Sequence, residues 1–255
     1  MSRGARRGLV IFLVTILLAL IVFGVLDRVA ARVVADQIAT RAQTSQNLAE
    51  RPDVSLGGFP FLTQVAAGRY RDVDIEVRGY EQDGVRIDRV GAQLAGVRLP
   101  LSDVLRDQVD QVPVDRVDAQ VDLTFADLNA YLATQEPQVQ VSAADQGIQV
   151  AGTAEVLGTR YPVSGTADIG VAADSVTFTP RDLTASLGVV IPPQLLEPVR
   201  ALLTIRVPIT GLPFNMALRS AVVGPDRLTF TAGGRDVLLD PDLATGVTTG
   251  GSVAP

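Results

Sequence analysis

The chain has 255 residues, 47% of them hydrophobic, a formal net charge of −6, and neither Cys nor His. That length suits one large β domain or two ordinary ones, and the missing residue types remove disulfides, thiol and imidazole catalysis, lipidation through cysteine and nearly all zinc or haem ligation. All 22 basic residues are Arg, and setting aside Arg3, Arg6 and Arg7 takes the remainder from −6 to −9, a balance that argues against a nucleic-acid partner.

The first element is the uncharged run Leu9 to Leu26. As a helix it would span ~27 Å, close to the hydrocarbon thickness of a bilayer. Arg3, Arg6 and Arg7 precede it and Asp27 and Arg28 follow, so the positive-inside rule predicts a cytoplasmic N-terminus and an exported domain. A cleaved signal peptide is the alternative, with Ala30 and Ala31 as small residues downstream. The length of the run and the charged Asp27-Arg28 pair favour an uncleaved anchor. The expected organisation is residues 1–8 in the cytoplasm, 9–26 in the membrane, 27–240 as one extracytoplasmic domain facing the periplasm or cell envelope, and 241–255 as a disordered Gly/Thr/Ser-rich tail.

From Val29 to Leu48, Val29, Val33, Ile38 and Ala42 recur at helical spacing, predicting an amphipathic helix that continues from the membrane segment and ends before Pro52. The next stretch, Gly57-Gly58-Phe59-Pro60-Phe61-Leu62, is a rigid corner, because Pro60 fixes its own φ while the glycines open backbone geometries closed to other residues. Its phenylalanines either plug the core or line the entrance to an apolar cavity.

Beyond the corner the period changes to two. Val73, Ile75 and Val77 alternate with Asp72, Asp74, Glu76 and Arg78; Val85 and Ile87 follow the same rule, as do Val117, Ala119, Val121 and Leu123. Such half-buried strands belong to antiparallel sheets. Short helices are predicted at Ser102 to Arg106, after Pro100, and at Thr124 to Leu132, where Thr124 is the N-cap and Phe125, Leu128, Tyr131 and Leu132 form one stripe. Strands follow at 138–142, 147–156, 161–171, 175–179 and 183–189, then a helix from Ile191-Pro192-Pro193 to Leu202. Gly211-Leu212-Pro213-Phe214 echoes Gly58-Phe59-Pro60-Phe61 before the last strands.

These elements predict a mainly β fold with helices (α+β), built as a strongly curved antiparallel sheet wrapped around a helix, because a flat sheet of that size would leave an apolar face uncovered. The runs Gly58-Phe59-Pro60-Phe61-Leu62-Thr63-Gln64, Gly68-Arg69-Tyr70, Asp127 to Leu132 and Gly211 to Phe214 resemble the LmeA-like family of actinobacterial cell-envelope proteins, over roughly Arg28 to Asp240. The resemblance implies a fold similar to tubular lipid-binding (TULIP-like) domains and binding of phospholipid, of phosphoinositide type, in support of lipomannan maturation. It also implies work alongside an envelope glycosyltransferase. It supplies no catalytic residue.

The residues expected to contact lipid are Phe59, Pro60, Phe61, Leu62, Leu212, Phe214, Phe125 and Tyr131, with Arg69, Arg71 and Arg78 as candidate phosphate contacts through bidentate guanidinium geometry. No metal or cofactor is expected. The acidic rows Asp72, Asp74, Glu76 and Asp115, Asp118, Asp122 fall on wet strand faces, and no nucleophile and base come together, so the protein is expected not to be an enzyme. A ligand-free, membrane-tethered scaffold is the other reading. It gains if Phe125, Tyr131, Phe178 and Phe230 fill the interior.

Overall fold

The computed structural model describes residues 3–45, 47–82, 84–100, 102–103, 106, 111–134, 139–145, 147–156, 159–173, 175–185, 204–208 and 216–239. The predicted helix after Ile191, the corner at Leu212 to Phe214 and the tail beyond 240 lie outside these residues.

The elements run α1 (Arg3–Ser45), β1 (Asp53–Leu56), α2 (Phe61–Ala67), β2 (Arg69–Gln82), β3 (Val85–Arg98), β4 (Val112–Thr124), α3 (Phe125–Leu132), β5 (Val139–Ala143), β6 (Ile148–Val156), β7 (Thr159–Ala172), β8 (Ser175–Ala185), β9 (Ile205–Pro208), β10 (Ala217–Val223) and β11 (Arg227–Leu239). All described strand pairs are antiparallel, in line with the alternating pattern. They form two sheets rather than one: six strands in the order β1-β2-β3-β4-β11-β10, and five in the order β5-β6-β7-β8-β9. The split falls after α3. The sheets meet where β10 packs against β7, with the Leu218 N–H donating to Ala173 O at 3.0 Å.

Helix α1 is continuous for 43 residues, ~65 Å at 1.5 Å per residue. Its apolar run is exposed all round, with Phe12 at 61% and Leu20 at 62%, which distinguishes it from a core helix. Past that run, the face that packs on the domain is not the predicted one. Val29, Val33 and Ile38 are exposed, whereas Asp27, Ala31, Ala35 and Ala39 are buried against β1 and α2. Alanines four apart lie on one face of a helix and bring its backbone close to its neighbours, which larger aliphatics would prevent.

The predicted strand 175–179 and residues 183–185 of the predicted strand 183–189 share the single strand β8 through Pro180, and 186–189 lie outside the described residues. That proline pairs with Ala167, next to the register shift between Thr166 and Ala167, a position where a missing N–H costs no regular ladder bond. At Ser102 to Arg106 the Arg106 N–H donates to Ser102 O, as one helical turn requires.

The core has two ends. One joins Leu94, Val97, Val114, Val117 and Val237, with Tyr70 and Val73 packed on it. The other lies between the sheets, where Phe125 of α3, Val141, Ile148, Ala167 and Leu228 are buried together and Phe178 and Phe230 pack alongside.

Candidate lipid-binding site

Between the two core ends, the apolar face of the six-stranded sheet carries in-register rows. Val77, Val90, Val121 and Phe230 are direct cross-strand partners, and so are Ile75, Ala92, Ala119 and Ala232. Of these eight residues only Ala232 is buried; the other seven are half-buried. Three consecutive alanines across β3, β4 and β11 give this face its smallest side chains, with Ala92 packed on the Leu94 cluster and Ala232 buried beside Val176 and Leu218. The opposite face of the same strands holds a concavity of about 420 Å³ lined by Asp74, Glu76, Arg89, Gln93, Asp118, Gln120 and Arg219. Arg89 pairs with Glu76 at 2.7 Å and Arg219 with Asp118, and Ile75, Ala92, Ala119 and Ala232 also contribute to its lining.

One end of the sheet is closed by α3. Thr124 caps it, accepting from the Asp127 N–H at 3.1 Å, as predicted, and Phe125 is 7% exposed. Asn129 then acts as a substitute strand. Its amide accepts from the Val141 N–H at 2.7 Å and donates to Val141 O at 2.8 Å, tying α3 to the edge of β5. Tyr131 is half-buried. Phe125, Phe178 and Phe230 fill this end, which is what a ligand-free interior would look like, and any open lipid site lies away from it.

The other end is the corner. Here Phe61 opens an unpredicted helix, α2, and is 1% exposed, with its ring 6.2 Å from that of Tyr70. Burial pushes the Tyr70 phenol above its ordinary value. Gln64 fixes the turn internally, its amide donating to Gly57 O at 3.1 Å and accepting from the Arg71 N–H at 2.8 Å. Gly68 ends α2 at φ 63°, and a Cβ there would lie 2.8 Å from the Pro100 Cα. The Ala67-Gly68 pair is the helix-stop signal that sequence reading could have used to find α2.

The corner is bolted to α1. The Leu62 N–H donates to Asp27 Oδ1 at 2.8 Å, and Arg28 bridges from Asp27 Oδ2 at 2.8 Å to Gly58 O at 2.6 Å. The Asp27 side chain is fully buried. Burial alone would raise its carboxyl, but the Leu62 and Phe61 N–H groups and Arg28 outweigh burial and hold it below its ordinary value. The two phenylalanines therefore separate: Phe61 plugs the core, while Phe59 is 55% and Leu62 38% exposed. Pro60, the N-cap of α2, is half-buried between them.

The three candidate phosphate contacts separate in the same way. Arg69 is held by Asp115 at 2.7 Å, where Arg98 also binds, and Arg78 by Glu76 at 2.5 Å. The Arg71 guanidinium has no ion-pair partner among the described residues, is exposed, and its Cδ lies beside Gly58. Leu212 and Phe214 lie outside the described residues.

The chain is thus an antiparallel α+β domain with an exposed aromatic corner and a long apolar N-terminal helix. The sequence model of LmeA-like phospholipid-binding proteins matches residues 25–233, and the chain belongs to that family. Phospholipid binding comes with that membership. The matched region begins before Asp27, so the bolt between α1 and the corner lies within it. Neither the curated proteins nor the solved structures give a match.

Proposed function

We propose that this chain is an extracytoplasmic phospholipid-binding protein held at the membrane by an uncleaved α1, and that it works by binding rather than catalysis. The observation that carries the reading is the row of half-buried aliphatics Val77, Val90, Ala119 and Val121, whose remaining exposed surface is apolar and belongs to none of the buried clusters. Each methylene withdrawn from water there contributes ~0.8 kcal/mol, so two acyl chains bind without any special headgroup contact.

Retention of α1 is supported by the buried Asp27 and Ala31, since cleavage near Ala30 would remove the Asp27 carboxylate from the Leu62 N–H. Export with a cytoplasmic N-terminus rests on Arg3, Arg6 and Arg7. A phosphoinositide-type headgroup, a role in lipomannan maturation and an envelope glycosyltransferase as partner rest on the family resemblance. The binding-only reading is supported by the pairing of Glu76, Asp115 and Asp118 with arginines, which occupies the carboxylates a hydrolase would need.

The test is native mass spectrometry of the full chain in mild detergent with phosphatidylinositol, phosphatidylglycerol and phosphatidylethanolamine. One lipid per chain is expected, held best with the inositol headgroup, and at least about tenfold weaker in Ala119→Phe at unchanged melting temperature, given the methylene contacts blocked. A lipid-free mass would overturn the reading. It would favour the scaffold, to which the filled α3 end already gives support.

A further inference from the structure

The corner has more exposed apolar surface and more free positive charge than its structural role requires. Phe59 contributes nothing to the core, Leu62 turns outward from α2, and Arg71 lacks a counter-charge among the described residues. The Arg28 guanidinium lies 5.5 Å from the centre of the Phe59 ring, so this aromatic is presented with a cation already seated on it.

The position of this patch is set by α1. Asp27, which receives the Leu62 N–H, is the residue immediately after Leu26, so the corner is fastened one helical rise, ~1.5 Å, beyond the end of the apolar run. Leu26 at the end of α1's apolar run is exposed, as are Phe59 and Leu62 of the corner fastened next to it. A helix with Leu9 to Leu26 in hydrocarbon carries Phe59 and Leu62 at the depth where headgroups meet acyl chains, the zone that aromatic side chains prefer and where basic side chains meet phosphates.

We propose that the corner is a second membrane contact: Phe59 and Leu62 insert into the leaflet on the domain side of the same bilayer, and Arg71 lies against anionic phospholipid headgroups. The domain is then seated on the membrane in one orientation rather than hanging from a flexible tether. This inference rests on α1 being a retained anchor.

The chain has no cysteine, so single labels are unambiguous. Full-length Phe59→Cys, Leu62→Cys, Leu17→Cys and Gln140→Cys variants carrying a bimane label are placed in nanodiscs of phosphatidylcholine and phosphatidylglycerol. Quenching is then read from headgroup-proximal nitroxide lipid and from aqueous iodide. Labels at 59 and 62 are expected to lose most of their emission to the nitroxide lipid and little to iodide, with the label at 140 doing the reverse. Arg71→Ser is expected to lower nitroxide quenching at 62 in the mixed lipid and to leave it unchanged in pure phosphatidylcholine. If 17 is lipid-quenched while 59 and 62 respond to iodide like 140, the seating is overturned and the anchor stands. If 17 also responds to iodide, both fall.

Discussion

The two ends of the six-stranded sheet are closed by the same device, yet they differ in what they leave exposed. Helices α2 and α3 each follow an extended N-cap residue, Pro60 at φ −74°, ψ 140° and Thr124 at φ −73°, ψ 150°, and each begins with a buried phenylalanine. At α3 the remaining groups are satisfied within the protein: Thr124 caps the backbone, Asn129 completes β5, and Leu128 and Leu132 join the core. At α2 no side chain caps the helix, Phe59 and Leu62 are exposed, and Arg71 has no carboxylate partner among the described residues. The α2 end therefore leaves apolar surface exposed where the α3 end, built on a helix of similar length, buries its own.

The largest effects should come from what the two ends share. Phe61→Ala and Phe125→Ala each remove a buried ring and are expected to cost about 3–5 kcal/mol, read from denaturant midpoints. Phe59→Ala, by contrast, should change stability by less than about 1 kcal/mol while weakening membrane seating, because it gives up only an exposed cation–π contact. Equal destabilisation by Phe59→Ala and Phe61→Ala would erase the distinction within the corner. Next is Gln64→Ala, which strands Gly57 O and the Arg71 N–H at a residue 5% exposed; about 1–3 kcal/mol is expected. Thr124→Ala, which removes the cap that only α3 has, should cost about 1 kcal/mol. Thr124→Ser should restore most of it.

The smallest effect is confined to low pH. The Asp27 carboxyl titrates below its ordinary value of 3.8 in the folded protein. Its contribution is therefore complete above 3.8 and is lost as pH falls through the lower folded value. Hydrogen exchange at the Leu62 amide should accelerate in that acid window, and Asp27→Asn should abolish the pH dependence.

Much of this was legible in the sequence because it depends on short-range periodicity. The alternation in Val73 to Val77 and Val117 to Leu123 predicts antiparallel strands with one wet face, and the structure has them. The Thr124 cap and the Phe125 stripe are equally local. The pairing of Arg69 with Asp115, 46 residues away, is not, and it removes one candidate phosphate contact, while Arg71 has no ion-pair partner among the described residues. Helix α2 was hidden by its own first residues, because the Phe-Pro-Phe corner masks a helix only 7 residues long.

What the sequence determined by itself is the apolar N-terminal run, the antiparallel α+β class, the absence of thiol and imidazole chemistry, and a resemblance that the family match to residues 25–233 upholds. The tertiary structure alone decided that the strands divide into two sheets and that α1 packs through alanines rather than valines. It also sent Phe59 and Phe61, two residues apart, to opposite sides of the surface. These outcomes turn on which distant groups come within contact distance, Asp27 reaching Leu62 and Ala119 lying between Ala92 and Ala232, and local propensity carries no information about such approaches.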